Sequence, residues 1–230
     1  TGPDPSLQAI ALYKTGWAHY KADRYDAAAA AFRGVLDLYA SDARLGVQAD
    51  IGQEAEQYFV YSLAAAGGVD AFERAFPAGA NEQASEQPSE QAGGRESERP
   101  SERYAYERRV LREMGQHFRR YGELGRAVAV DQLYLRRWPA DAAALEVAGR
   151  LAETQSRAER PAEGRATRLR WAEEFAPGGS WATAQASDSL REAGAEFARS
   201  AWRAEAFEHH RKARESGSRE EWRAALQSYE

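Results

Sequence analysis

Four histidines, His19, His117, His209 and His210, are the residues of this chain best suited to moving a proton or holding a metal, and no cysteine accompanies them. His209 and His210 are adjacent, so on a helix their side chains diverge by about 100° and do not converge on one ion. Glu205, one turn before His209, completes half a metal site. No Glu-x-x-His element of the kind that builds a bundle-type carboxylate centre exists to complete it. His19 and His117 stand among aromatic residues and read as packing residues. Nucleophilic catalysis needs a serine or cysteine oriented by a histidine and a carboxylate. Here the serines fall largely in turns or in one polar stretch. Gly67-Gly68, Gly93-Gly94 and Gly178-Gly179 match no phosphate-binding loop and read as helix stops or loops. These residues point away from catalysis, and no cofactor or metal is expected.

What remains is chemistry of recognition. Between Tyr106 and Tyr121 two stripes run at spacings of three, four and three: Leu111, Met114, Phe118 and Tyr121 on one side, and Arg109, Arg112, Gln116 and Arg119 on the other, with Arg120 beside the second. Guanidinium groups form bidentate, charge-assisted hydrogen bonds with carboxylates. The second stripe therefore suits an acidic segment or a terminal carboxylate, or else is a solvated helix face balanced by Glu107 and Glu113. A second candidate is Tyr13, Trp17, Tyr20 and Lys21 with Ile10, where aromatic side chains could anchor a peptide or pack on a neighbouring helix pair. The run Arg157, Arg160, Arg165, Arg168 and Arg170 is interleaved with Glu159 and Glu163 and reads as a solvated surface.

Helices must position all of these. Helical periodicity covers residues 7–22, 25–39, 44–66, a short stretch ending at Phe76 before Pro77, 104–121, 124–138, 142–158, 161–175, one long helix at about 182–215, and a last one from Arg219. Proline and glycine fall between these stretches. Residues 78–103 differ: Ser85-Glu86-Gln87-Pro88-Ser89-Glu90-Gln91 recurs as Ser97-Glu98-Arg99-Pro100-Ser101-Glu102-Arg103, and nothing there is more apolar than alanine. With nothing to bury against the entropy of ordering, this stretch reads as a flexible linker. It separates an N-terminal helical domain, 1–77, from a C-terminal one, 104–230.

The formal charge of −5 excludes a general nucleic-acid binder, which carries a basic face. No run approaches the ~20 apolar residues that cross a bilayer. The chain begins at Thr1 and stops at Glu230 inside helical pattern, which reads as a segment of something longer.

Self-similarity organises the whole. Gly16, Ala28 and Ala40 are spaced twelve and twelve, as are Gly115, Ala127 and Pro139. Tyr25, Ala28 and Phe32 share their spacing with Trp222, Ala225 and Tyr229. A small residue in each of two antiparallel helices lets them approach closely while aromatics fill the space around them. These residues resemble the tetratricopeptide repeat, a helix–turn–helix unit of about 34 residues. The best copies are 9–42 and 108–141, the latter with Asp131 where an aromatic belongs. The pair 143–177 has Arg165 where a small residue belongs, and 44–76 keeps only the helical pattern. The wording is similar to that of degenerate tetratricopeptide proteins of GC-rich bacteria, some of them envelope proteins, which sets the cell envelope ahead of the cytoplasm as compartment. The resemblance implies an all-α solenoid of stacked antiparallel hairpins, a TPR-like superhelix whose inner wall is formed by the first helix of each pair. It further implies a non-enzymatic scaffold that binds a protein or peptide there, with the arginine stripe facing the groove. The alternatives are a positioning region of a larger enzyme or regulator, or a structural envelope solenoid.

Overall fold

The computed structural model describes residues 4–41, 45, 49–77 and 105–227. The expected linker at 78–103 and Tyr229 lie outside the described residues. All described elements with regular structure are helices. They divide between two compact units, Thr1–Val130 and Asp131–Glu230.

In the first unit, α1 (Pro5–Lys21) starts where the Asp4 carboxylate accepts a 2.9 Å hydrogen bond from the Ser6 amide and Pro5 supplies a preset φ. It packs antiparallel to α2 (Tyr25–Ser41). A Cβ on Gly16 would sit 2.7 Å from the Phe32 ring, and one on Gly34 would sit 3.1 Å from Leu12, so glycine is what lets these two rods close. Ala28 and Phe32 are fully buried between them. Next, α3 (Ala49–Ala65) packs on α2, and Gly67 and Gly68, both at positive φ, turn the chain into the short α4 (Val69–Ala75). Phe59, Leu63, Phe72 and Phe76 make the core there, all buried. Then α5 (Ala105–Arg120) lies along α3 and leads into α6 (Leu124–Arg137), within which the division between the units falls. Gly115 and Ala127 are buried, as are Leu111, Met114 and Phe118. Tyr121, expected in that apolar stripe, lies just past the end of α5 and is 65% exposed.

In the second unit, α7 (Ala144–Arg157) and α8 (Pro161–Phe175) form an antiparallel hairpin, the short α9 (Ser180–Ala184) follows, and α10 (Asp188–Ser216) returns along α8 before α11 (Arg219–Gln227). The single long helix expected at 182–215 is thus two. The break serves Trp181, whose indole N–H donates a 2.7 Å bond to the Asp141 carbonyl while its ring packs against Phe175. Ser187 then caps a fresh helix by accepting from the Leu190 amide. Gly194 gives α10 its close passage: a Cβ there would stand 2.7 Å from Trp181 and 2.9 Å from the Phe175 carbonyl. Ala213 and Ala225, again twelve apart, are both buried, one on α10 and one on α11.

One register needs correcting. The small residue of the α7/α8 hairpin is Gly164, where a Cβ would lie 2.5 Å from the Ala152 carbonyl oxygen, and not the expected position of Arg165. Ala152 and Gly164 therefore repeat the twelve-residue interval. The turns agree. Seven residues after Gly16, Gly115 and Ala152 stand Asp23, Gly122 and Glu159, all at positive φ (55°, 75° and 62°). The next amide in each donates five residues back, Arg24 to His19, Glu123 to Phe118 and Arg160 to Gln155. That bond closes a helix when the residue just past its end is left-handed. Three hairpins thus share one turn geometry, and each unit is all-α, built of antiparallel helix pairs packed on their chain neighbours in the manner of an α-solenoid.

Candidate partner-binding site

In the first unit, α1, α3 and α5 run parallel, as their cross-contacts show. Trp17 meets Tyr58 at 4.2 Å between ring centroids, Tyr61 meets His117 at 5.1 Å, and Arg109 meets Glu56. The residues in contact advance together along the helices. Rings join the three helices into one face: Tyr20 packs edge-on against Tyr58 at 5.2 Å, Tyr58 against Tyr61 at 5.6 Å, and His117 against Tyr121 at 4.8 Å. Edge-to-face pairs at these separations contribute beyond the area they bury. The Lys21 ammonium lies 5.1 Å from the centre of the Trp17 ring. Tyr13, Trp17 and Tyr20 are half-buried and spend much of their surface on Phe32 and Tyr58. They are seam residues as well as wall residues.

Between α3 and α5, closed at one end by the last turns of α2, is an open groove of about 790 Å³. Leu36 and Val60 give it an apolar patch, and Tyr39, Tyr61, Tyr106 and His117 line it with rings. Gln53, Gln57 and Gln116 supply exposed amides, Gln57 donating to the Tyr61 hydroxyl at 2.7 Å. Burial, together with the hydrogen bond it donates to Asp37, holds the Tyr106 phenol far above its ordinary range. It is a fixed donor and not an acid. Burial pushes His117 below its ordinary value, so its ring is neutral at physiological pH.

The expected arginine stripe divides. Arg109, Gln116 and Arg120 line the groove; Arg112 and Arg119 do not. Both of the latter are half-buried, and the Arg112 Nε is enclosed without a hydrogen-bond partner. The cause is angular. At about 100° per residue, positions 109, 113, 116 and 120 fall within about 60° of one another, whereas 112 and 119 lie about 60–80° to one side of Arg109. Nor is Arg109 open to an incoming anion, because it already donates through Nε and Nη2 to both carboxylate oxygens of Glu56, which is mostly buried. The glutamate holds this guanidinium in its charged form.

Glu56, Gln57 and Tyr61 escaped the sequence reading, and Tyr58 was read only as part of a helical pattern, because 44–76 matched the repeat in nothing else. Tyr61 follows Gln57 by four residues and Tyr58 by three, and that helical spacing was the available signal. In the second unit, Pro139 is exposed in the connection after α6, and Ala225 is buried. Glu205 and His209 do meet, at 2.9 Å, but Glu205 is also taken up by Arg165 at 2.7 Å. Among the described residues no group of three or more His, Asp or Glu side chains is arranged to hold a metal ion, and no helix is long and apolar enough to cross a membrane. No family model, curated protein or solved structure matches this chain.

Proposed function

We propose that this chain is a non-enzymatic scaffold built of tetratricopeptide-type hairpins, and that residues 1–130 bind a segment of a partner protein on the face formed by α1, α3 and α5. The observation that carries the reading is the groove between α3 and α5, lined by rings and exposed amides on one continuous helical wall. Small residues at a twelve-residue interval and a shared left-handed turn support the repeat class. The face offers rings and amides to a segment laid along it, and such preformed surfaces bind by complementarity alone.

A photo-reactive amino acid placed at Gln57 or Gln116, compared with one at the exposed Arg199 of α10, tests this in cells. Selective capture of the same protein from both groove positions, lost on adding Tyr61→Ala, supports the function. Equal capture from all three positions excludes it.

A further inference from the structure

The groove contains two charged side chains that are not taken up in ion pairs among the described residues. Arg109 and Glu56 neutralise each other across its floor. Glu113 and Arg120 line the same groove, both exposed, and neither is hydrogen-bonded or ion-paired to another described side chain. They are seven residues apart on α5, two helical turns, and so lie on one line about 10 Å apart. A polyproline-II segment advances about 3.1 Å per residue with three residues per turn, so its side chains at i and i+3 share one face about 9.3 Å apart. Its backbone makes no internal hydrogen bonds and stays free to bond outward. Gln53 and Gln116 have uncommitted amides at the groove, and the rings of Tyr39, Tyr61 and His117 give the flat apolar walls such segments dock against. A β-strand places i and i+3 on opposite faces and fits the charge pair less well.

We propose that the α3–α5 groove selects a partner-protein segment in polyproline-II conformation with one basic and one acidic side chain three residues apart, the basic one paired with Glu113 and the acidic one with Arg120. This rests on the scaffold reading and specifies what that scaffold takes. The mixed pair distinguishes it from the purely acidic segment that an unbroken arginine stripe would receive.

Three fluorescein-labelled peptides on one proline-rich frame, carrying Lys-Pro-Pro-Glu, Lys-Pro-Pro-Lys or Glu-Pro-Pro-Glu, are titrated with the full chain by fluorescence anisotropy. The mixed peptide should bind about fivefold more tightly than either like-charged one, since each like-charged peptide exchanges one exposed ion pair for a like-charge contact. Glu113→Lys should make the Glu–Glu peptide the tightest, and Arg120→Glu the Lys–Lys peptide. Backbone direction does not affect either outcome, and circular dichroism checks that both exposed substitutions leave the helices intact. Equal binding of all three peptides overturns the charge selection and leaves the scaffold reading standing. No binding of any peptide, with no capture from Gln57 or Gln116 either, overturns both. A concentration-dependent rise in mass that both single variants abolish assigns the groove to a second copy of the chain and overturns the proposal.

Discussion

Helices are joined by different materials in the two units. In the first, α1, α3 and α5 meet largely through rings, with Tyr58 touching Trp17, Tyr20, Phe32 and Tyr61, and the Arg109–Glu56 ion pair adds to the α3–α5 joint. In the second, the long α10 meets α8 through Ala172, Ala198 and Ala201, all buried, and through Phe175 against Phe197 at 5.2 Å, with ion pairs added at the rim. Arg165 of α8 reaches Glu205 at 2.7 Å and Glu208 at 3.9 Å, and along α10 Arg199 pairs with Glu192 and Glu196 while Arg211 pairs with Glu208 and Glu215. Within the hairpins the two units agree, with small residues twelve apart and a left-handed turn. The close approach inside a hairpin is therefore a strict steric condition. The joint between one hairpin and the next varies in its side chains, with rings prominent in the first unit and a rim of ion pairs around an apolar contact in the second.

The sharpest test of the strict condition compares two glycines. Gly164→Ala places a methyl 2.5 Å from a backbone carbonyl that cannot step aside, and should cost about 3 kcal/mol or more by urea unfolding. Gly16→Ala meets the Phe32 ring at 2.7 Å, a side chain that can shift, and should cost about 1–2 kcal/mol. A larger loss at Gly16 would break the steric argument. For the joints, Tyr58→Ala should cost about 2 kcal/mol, since the ring is half-buried, and the loss should be the same in 1 M sodium chloride. Glu159→Gly should stabilise by about 1 kcal/mol by relieving a φ of 62° that a side chain disfavours. Arg165→Met should cost about 0.5 kcal/mol at low salt and nothing measurable in 1 M salt, because the partners are partly exposed. The smallest effect is a slope with pH. Burial holds His117 below its ordinary 6.5, so between that value and its folded value the unfolded chain binds more protons. Stability should fall as the pH drops through that window, and His117→Gln should flatten the slope.

Much of the fold was legible because its constraint is written in the smallest residues. Gly16 with Ala28, and Gly115 with Ala127, stand out against aromatic neighbours. Gly164 was misplaced by one position because its partner is Ala152, one of many alanines, and because the left-handed turn residue of that hairpin is a glutamate, which carries no sign of a positive φ. The site was legible only in part. Periodicity shows which residues share a face of α5; it does not show how wide a sector a neighbouring helix leaves open. Arg112 and Arg119 fell outside that sector, and the partner that takes up Arg109, Glu56, lies 53 residues away in a helix with no clear repeat signature.

The chain has six tryptophans, and Trp17 alone falls within residues 1–130. It stands 4.2 Å from Tyr58, with the charged end of Lys21 5.1 Å from its ring. Tyrosines along the wall can pass excitation to that one indole, and its emission colour responds to the nearby ammonium. With the other five tryptophans changed to phenylalanine, light emitted on excitation at the red edge would come from the proposed recognition wall alone, giving the molecule a built-in lamp at the place where occupancy matters.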